Sequence, residues 1–191
     1  MKIAIAGSHG LIGTNLVTHF RKSNINVTRI VRLKDQNGIY WDPLTGYINH
    51  ENLENYDAII NLCGEKIASF NPFFKNKNKL ISSRVSTNLI LSKTIAKLVN
   101  PPKYFITASA TGIYKPTKRR ITESGKLNTG FLAQLALEWE EASKFYDNGK
   151  TKIINLRLGQ VISPKSFYFK ALSNITKYMK ISSFGNGKQR W

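Results

Sequence analysis

Residues 2–13 read Lys-Ile-Ala-Ile-Ala-Gly-Ser-His-Gly-Leu-Ile-Gly and decide the fold of this chain. The stretch begins with an unbroken apolar run at residues 3–6, which is typical of a strand covered on both faces in a parallel sheet. Glycines follow at positions 7, 10 and 13. A helix is predicted directly afterwards, over residues 11–21, with an apolar face formed by Leu11, Ile12, Leu16, Val17 and Phe20. The pattern therefore predicts a strand, a tight turn and the start of a helix.

The three glycines have the spacing of a dinucleotide-binding turn. The first permits the turn, the second lets the backbone approach a pyrophosphate, and the third lets the helix lie close to its strand. Unpaired N–H groups and the positive end of the helix dipole favour an anion at this point. We therefore expect a dinucleotide to contact Gly7, Ser8, His9, Gly10, Leu11, Ile12 and Gly13. A strand–turn–helix unit without a ligand is the alternative.

A second strand is predicted over residues 26–31, and Arg32 follows it directly. In a dinucleotide fold the residue at this strand end meets the adenosine ribose. An acid there binds the 2′-hydroxyl of NAD, whereas an arginine accommodates the 2′-phosphate of NADP. Arg32 therefore favours NADP over NAD, and a surface arginine without a ligand is the alternative.

The composition is that of a globular protein with a strong positive charge. The chain has 191 residues, 41% of them hydrophobic, with 29 Lys and Arg against 11 Asp and Glu, which gives a formal charge of +18. Such a charge favours non-specific contact with nucleic acid. Because the basic residues are spread over most of the chain, we interpret most of them as solvated surface and keep nucleic-acid binding as a remote alternative.

Cysteine and histidine give no sign of a disulfide or a metal centre. Cys63 is the single cysteine, and the three histidines lie far apart in sequence. We therefore propose no metal site, and a reducing cytoplasm fits this composition. No apolar run approaches the length of a membrane span, and we expect no membrane partner.

Strand and helix signals alternate through the rest of the chain. Short extended pieces are predicted at 39–41 and 47–48, and a buried strand at 58–62. Leu62, Cys63, Gly64 and Glu65 lie at the end of that strand, where a parallel sheet binds its ligand. Further strands are predicted at 103–107 and 152–158. A helix with Leu135, Trp139, Ala142 and Tyr146 lies between these two strands. The alternation predicts an α/β fold with a doubly wound sheet.

A long helix is predicted over residues 77–98 and ends before Pro101. Its apolar positions are expected to share one packed face, formed by Ile81, Val85, Leu89, Ser92, Ala96 and Val99. Arg84 lies one position off this face, where it could reach a phosphate or ribose. A solvated helix arginine is the alternative.

Several separate stretches match a known family in order. They include GSHGLIG at 7–13, VTRIVR at 27–32, DAIINLCGEKIA at 57–68, SSRVSTNLI at 82–90, ITASATGIY at 106–114, LRLGQVISP at 156–164 and FGNGKQRW at 184–191. With them, the chain resembles the extended short-chain dehydrogenase/reductases, and within these an atypical branch catalogued as family 39U, the NAD(P)-dependent or putative sugar-nucleotide epimerases. The resemblance implies a Rossmann-type, mostly parallel sheet with helices on both faces. It also implies a cofactor site that includes the glycine turn, Arg32, Leu62, Cys63 and Arg84.

The usual reaction centre of that superfamily is altered in this chain. Its helix carries Tyr-x-x-x-Lys, in which the phenol transfers a proton and the lysine holds the nicotinamide ribose. The matching helix here has Phe131 and Leu135 instead. The resemblance leaves Ser109, at the position of the superfamily's Ser or Thr, as a candidate. Tyr114 is a second candidate, as an unorthodox acid, and a packed loop aromatic is the alternative for it.

Two other places spell Tyr-x-x-x-Lys, at Tyr114 to Lys118 and at Tyr146 to Lys150. Pro116 places the first pair in a loop. Gly149 marks the end of the helix that carries the second, away from the cofactor. Neither pair is expected to replace the missing motif. The function indicated is an NADP-binding epimerase or oxidoreductase acting on a nucleotide sugar or small carbonyl compound, and the alternative is a non-catalytic NADP-binding remnant or sensor.

The resembled family continues beyond FGNGKQRW into a smaller substrate-binding lobe. We therefore divide the chain into a Rossmann domain at 1–165 and the start of a truncated C-terminal region at 166–191. We expect that region to be the least ordered part. An uncovered edge there predicts self-association or a partner chain that supplies the missing lobe.

Overall fold

Seven strands form one sheet in the computed structural model of this chain, which describes residues 1–34, 36–65, 67, 77–166, 169–170 and 173–174. The strands are β1 (Lys2–Ala6), β2 (Asn26–Val31), β3 (Ile39–Asp42), β4 (Tyr47–Ile48), β5 (Ala58–Asn61), β6 (Tyr104–Ala110) and β7 (Lys152–Leu158). Their order in the sheet is β4-β3-β2-β1-β5-β6-β7. All neighbouring strands are parallel except β3 and β4, which form an antiparallel hairpin.

The chain reverses its direction across the sheet at β1. From β1 it first moves outward to β2, β3 and β4, and it then returns to the other side of β1 to form β5, β6 and β7. In open parallel sheets the crevice at such a reversal, beyond the carboxyl ends of the strands, is the ligand-binding position. The carboxyl ends of β1 and β5 therefore locate the candidate site.

Helices cover both faces of the sheet. They are α1 (Leu11–Lys22), α2 (Lys77–Ile81), a π-helical turn (Ser82–Ser86), α3 (Thr87–Ala96) and α4 (Phe131–Lys144). One apolar core joins Val17 of α1 to Ile3 and Ile5 of β1. The other joins Leu91 of α3 to Phe105 of β6. The predicted doubly wound, Rossmann-type α/β fold is confirmed.

The helix predicted over 77–98 forms, but its buried face differs from the predicted one. Val99 is 79% exposed, and Ala96 is also exposed. The buried positions instead include Arg84, Asn88, Leu91 and Ile95. Because two of these are polar, a search for apolar periodicity chose the neighbouring stripe. The prediction of a packed face through Ala96 and Val99 is therefore wrong.

Most of the predicted C-terminal region, including the FGNGKQRW stretch, lies outside the described residues. The division at 165 and the low order expected of 166–191 stay predictions. Strand β7 matches its predicted bounds, and β6 extends three residues beyond its predicted end, to Ala110. No helix in the described part of the chain is both long and apolar enough to span a bilayer.

Candidate functional site

The glycine turn is packed directly against the end of the neighbouring strand β5. Gly7 has a φ of +72°, and a Cβ atom there would lie 2.6 Å from the carbonyl carbon of Leu62. A Cβ atom at Gly13 would overlap the carbonyl oxygen of Gly7 and approach the Cα atom of Ser8 to 2.7 Å. These contacts give the first and third glycines the roles that the sequence predicted, the tight turn and the close helix.

Helix α1 begins at the turn, and Gly10 is its N-cap. The first turn of α1 contains no acidic residue, and none of the side chains that the structure describes caps the helix. Gly10 is exposed, with its own N–H bound to the carbonyl oxygen of Gly7 at 3.0 Å. The positive end of the helix dipole therefore faces solvent at the carboxyl end of β1, which favours an anionic ligand.

Ser8 lies buried within this turn. Its Oγ has no hydrogen-bond partner among the described residues. Its carbonyl oxygen accepts a hydrogen bond of 2.6 Å from Nη1 of Arg29 on β2. Sequence reasoning missed Arg29, although an arginine inside a β-branched strand was the available signal. Arg29 therefore fixes the turn from the side of β2, and His9 of the same turn is exposed.

Arg32 lies exposed at the carboxyl end of β2, as predicted. It is close enough to Cys63 for its charge to act on the thiol. Burial raises the pKa of Cys63 to about 12, and the positive charge of Arg32 opposes that change. The ends of β2 and β5 thus bring Arg32 and Cys63 to one edge of the sheet, on either side of the glycine turn.

The loop after β5 is held by a chain of buried amides. Oδ1 of Asn61 accepts a hydrogen bond of 3.0 Å from the backbone N–H of Cys63. Nδ2 of Asn61 donates to Oδ1 of Asn88 on α3 at 2.7 Å. Nδ2 of Asn88 in turn donates to the carbonyl oxygen of Trp139 on α4 at 2.8 Å. Sequence reasoning identified neither asparagine, because apolar patterns do not reveal buried polar residues.

Arg84 holds the same loop through a hydrogen bond from the π-helical turn. It is 8% exposed and lies in the π-helical turn, with Nη2 donating to the carbonyl oxygen of Glu65 at 2.9 Å. Its guanidinium lies 5.2 Å from the ring centroid of Trp139. Burial lowers the pKa of Arg84, and the charge of Glu65 acts against this. The alternative of a solvated helix arginine is wrong, and contact with a ligand stays a prediction.

Gly64 lies close to the guanidinium group of Arg84. A Cβ atom at Gly64 would lie 3.3 Å from Cζ of Arg84. Leu62 and Cys63, the preceding residues, are half-buried, whereas Gly64 is exposed. Leu62, Cys63 and Gly64, the predicted cofactor residues directly after β5, therefore form a fixed segment beside the glycine turn, which we call the ledge.

The two catalytic candidates belong to one network of hydrogen bonds. Oγ of Ser109, at the end of β6, lies 2.6 Å from Oε1 of Glu140 on α4. Glu140 is bound at both oxygens by Arg157 of β7, with Nε–Oε1 and Nη2–Oε2 distances of 2.8 Å. Nη1 of Arg157 donates to the phenolic oxygen of Tyr114 at 2.6 Å. Glu140 and Arg157 therefore join Ser109 to Tyr114.

The charges of this network reinforce one another. Burial acts to raise the pKa of Glu140, but the hydrogen bonds from Arg157 and Ser109 and the nearby positive charges outweigh it, so the pKa is lowered. The bonds to Glu140 raise the pKa of Arg157. Sequence reasoning missed both residues. The register of β6 and β7, which pairs Ser109 with Arg157, was the structural fact needed to connect them.

The helix that matches the superfamily's Tyr-x-x-x-Lys helix has no proton-transfer group at the matching positions. Leu135 is buried, and the half-buried ring of Phe131 lies 5.1 Å from Nζ of Lys77. Tyr114 follows a short 3-10 turn in a loop, as predicted for the first alternative pair. Tyr146 follows α4, and Lys150 lines a groove at the opposite, amino-terminal edge of β6 and β7. The second alternative pair is therefore remote from the glycine turn.

No group of three His, Cys, Asp or Glu side chains that could hold a metal ion occurs in the part of the chain that the structure describes. The described site therefore consists of a glycine turn, a ledge after β5, Arg32 and the Ser109–Tyr114 network. All of them lie at the carboxyl edge of the sheet.

The sequence of this chain matches a known protein family over nearly its whole length. The model of the NAD dependent epimerase/dehydratase family matches residues 3–191. The epimerase family protein ML0860 of Mycobacterium leprae (strain TN) is 33% identical over 190 residues, which are 98% of this chain and 61% of that protein. The chain therefore spans about three fifths of the length of this relative.

Two solved structures have the same fold. The nucleoside-diphosphate sugar epimerase from Corynebacterium glutamicum superposes with a TM-score of 0.82 at 26% identity, over 98% of this chain and 39% of that one. The human epimerase family protein SDR39U1 (isoform 2), solved with NADPH, gives a TM-score of 0.77 at 24% identity, over 92% of this chain and 59% of that one.

Proposed function

The chain belongs to the NAD dependent epimerase/dehydratase family, and from that premise we propose that it binds NADP and acts as an epimerase or oxidoreductase on a nucleotide sugar or small carbonyl compound. The observation that supports this most is the glycine turn at the reversal point of the sheet, with an α1 N-terminus that has no acidic residue in its first turn. A pyrophosphate is the anion that such a turn binds in this fold.

The residues at the edge fit a nicotinamide dinucleotide. The turn from Gly7 to Gly13 would hold the pyrophosphate, and the buried Oγ of Ser8 is one polar atom there that has no partner within the part of the chain that the structure describes. Arg32 would bind the adenosine 2′-phosphate, and the ledge of Leu62, Cys63 and Gly64 would line the cleft between them. When bound, the cofactor would supply a hydride donor or acceptor.

A titration of the purified chain with NADPH and NADH, followed by cofactor fluorescence, tests this proposal. We expect saturable binding, tighter for NADPH. Arg32→Ala should weaken NADPH binding selectively, and Lys22→Ala, which removes an exposed cation from the far end of α1, is the matched control. No saturable binding of either nucleotide would exclude the proposal, and tighter binding of NADH would exclude the role of Arg32.

A second candidate is a cofactor-binding protein without catalytic activity. The replacement of the superfamily's tyrosine and lysine by Phe131 and Leu135 favours this candidate. Incubation with NADPH and a panel of carbonyl and nucleotide-sugar compounds separates the two. Products have to be detected directly, because an epimerase returns its hydride and gives no net change in nicotinamide absorbance. Product formation would exclude the second candidate.

A further inference from the structure

The hydrogen bond between Arg157 and Tyr114 can have only one direction, with Arg157 as the donor. A guanidinium carries donors and no acceptor. Because Nη1 of Arg157 donates to the phenolic oxygen at 2.6 Å, the hydroxyl hydrogen of Tyr114 has to point away from Arg157. Nη1 also donates to the carbonyl oxygen of Glu123 at 3.1 Å, which fixes the guanidinium further. Tyr114 therefore has a hydroxyl hydrogen free to donate to a group other than Arg157.

The hydroxyl hydrogen of Ser109, unlike that of Tyr114, is already used in a hydrogen bond. An ionised carboxylate only accepts hydrogen bonds, and Glu140 is ionised because Arg157 binds both of its oxygens. The 2.6 Å contact between Ser109 and Glu140 therefore uses the serine's hydrogen. Ser109 is also only 3% exposed. Its hydroxyl is in this way unavailable as a donor to a substrate.

We propose that Tyr114 donates the hydrogen bond and the proton to the reacting oxygen of a carbonyl substrate, that Arg157 is its positioning residue, and that Ser109 and Glu140 act by holding Arg157. This inference rests on the proposed function, which supplies the hydride. It assigns to Arg157, on a neighbouring strand, the place that the superfamily gives to a lysine four residues after its tyrosine.

The proposed step is balanced in protons and electrons. In the direction of reduction, bound reduced nicotinamide would supply the hydride that the carbonyl carbon accepts, and the carbonyl oxygen takes the proton as the O–H bond of Tyr114 breaks. The carbonyl compound would gain two electrons and become an alcohol, and the cofactor would lose the same two electrons. The resulting phenolate is stabilised by the adjacent charge of Arg157 until it takes a proton from water.

The experiment uses phenanthrenequinone as the carbonyl probe on the full chain. Its affinity is measured by quenching of tryptophan fluorescence without cofactor, and its reduction is measured with NADPH. Tyr114→Phe should weaken probe binding by up to about tenfold, the value of one hydrogen bond. It should lower kcat by a hundredfold or more, on the order of the contribution of a general acid. Tyr47→Phe, on the exposed β4 hairpin, is the matched control and should match the wild type.

Variants of Arg157 separate positioning from folding. Arg157→Met should lower kcat more than it raises KM, and Arg157→Lys should restore part of kcat because it keeps a donor near Tyr114. Since Arg157→Met leaves the Glu140 carboxylate without its cationic partner, thermal unfolding is measured for every variant. Arg157→Lys is the informative variant where the methionine variant does not fold. Ser109→Ala should lose less than Tyr114→Phe in both measurements.

Three results would overturn the inference. The first is a Tyr114→Phe variant with wild-type affinity and rate. The second is a loss in Ser109→Ala as large as that in Tyr114→Phe. The third is a wild-type chain that neither binds nor reduces the quinone. In the third case the NADPH titration distinguishes the two proposals. Saturable NADPH binding would exclude only the role of Tyr114, whereas the absence of NADPH binding would exclude the proposed function as well.

Discussion

Arg157 binds both carboxylate oxygens of Glu140, with two nitrogen–oxygen distances of 2.8 Å. This bidentate pair joins β7 to α4 at the carboxyl edge of the sheet. The Glu140 side chain is 10% exposed and that of Arg157 is 23% exposed. Charge-assisted pairs of this geometry are stronger than neutral hydrogen bonds, and removal of one partner leaves a poorly solvated charge.

Stability should fall in acid because of Glu140. Its pKa is lowered in the folded chain, so its contribution is fully present above the unfolded-state value near 4.5 and is lost as the pH falls through the folded-state value. We expect the free energy of unfolding, measured by denaturant titration at several pH values, to decrease over this range. Glu140→Gln should flatten that decrease, and Glu138→Gln on the same helix is the control. An equal slope in wild type and Glu140→Gln would contradict the assignment.

Alanine substitutions at Gly13 and Gly10 should have different effects, the first on stability and the second on NADPH binding. Gly13→Ala places a methyl group against the carbonyl oxygen of Gly7, and we expect a loss of about 1–3 kcal/mol in the free energy of unfolding. Gly112→Ala, with no atom within 4 Å of the new methyl group, is the control. Gly10→Ala meets its nearest atom at 3.3 Å, so it should change stability little and weaken NADPH binding. A destabilised Gly10→Ala variant with intact affinity would contradict this prediction.

Arg84 should stabilise the loop after β5. Arg84→Met removes the donors to the carbonyl oxygens of Leu80 and Glu65, and we expect a loss of about 1–3 kcal/mol because the bond to Leu80 is buried. Lys79→Met, an exposed cation on α2, is the control. Denaturant unfolding and NADPH titration of both variants are the measurements. Unchanged stability together with lost affinity would show that Arg84 acts on the ligand alone.

Cys63 should react slowly with thiol reagents. Its pKa is raised to about 12 by burial, so the reactive thiolate is scarce at neutral pH. Because the chain has a single cysteine, alkylation followed by mass spectrometry reports on this position alone. We expect labelling to become rapid only in denaturant. Rapid labelling of the folded chain at neutral pH would contradict the environment described for the thiol.

Affinity for nucleic acid, if present, should be electrostatic. Lys103, Lys144, Lys150 and Lys152 line a groove of about 590 Å³ at the amino-terminal edge of β6 and β7. Binding of a labelled oligonucleotide, followed by anisotropy, should fall steeply with added salt. The pair Lys150→Gln and Lys152→Gln should weaken it more than the pair Lys93→Gln on α3 and Lys97→Gln at the C-cap of α3. Tight binding at high salt would contradict this electrostatic origin.

The sequence predicted the sheet well because its strands are short segments rich in β-branched and other apolar residues between clear turn residues. The runs at 26–31 and 152–158 match β2 and β7 residue for residue. The glycine turn was predictable for a related reason, since the positive φ of Gly7 and the contacts of Gly13 with Gly7 and Ser8 depend on local backbone geometry. In these cases the controlling interactions lie within a few residues of the pattern that signals them, whereas the contact of Gly7 with Leu62 does not.

The buried polar residues could not be predicted in the same way. Asn88 and Arg84 occupy core positions because partners more than a dozen residues away in sequence satisfy their polar atoms. Glu140 and Arg157 meet only after β7 pairs with β6, a register that no local pattern encodes. A search for apolar periodicity assigns polar residues to the exposed face. It therefore predicted the wrong buried face for the long helix, and it did not identify Glu140 as the partner of Ser109.

The amide chain from Asn61 through Asn88 to Trp139 limits how this sequence can diverge. Replacement of Asn61 removes both the acceptor of the Cys63 N–H and the donor to Asn88, and the loss of one such buried partner costs about 1–3 kcal/mol. Descendants of this chain should therefore change Asn61 and Asn88 less often than the exposed residues of the same elements. Because Asn88 binds the backbone carbonyl of Trp139, directly before Glu140, a substitution at Asn88 should also shift α4 and disturb the Ser109–Tyr114 network, so that changes in the loop after β5 and changes in that network should be inherited together.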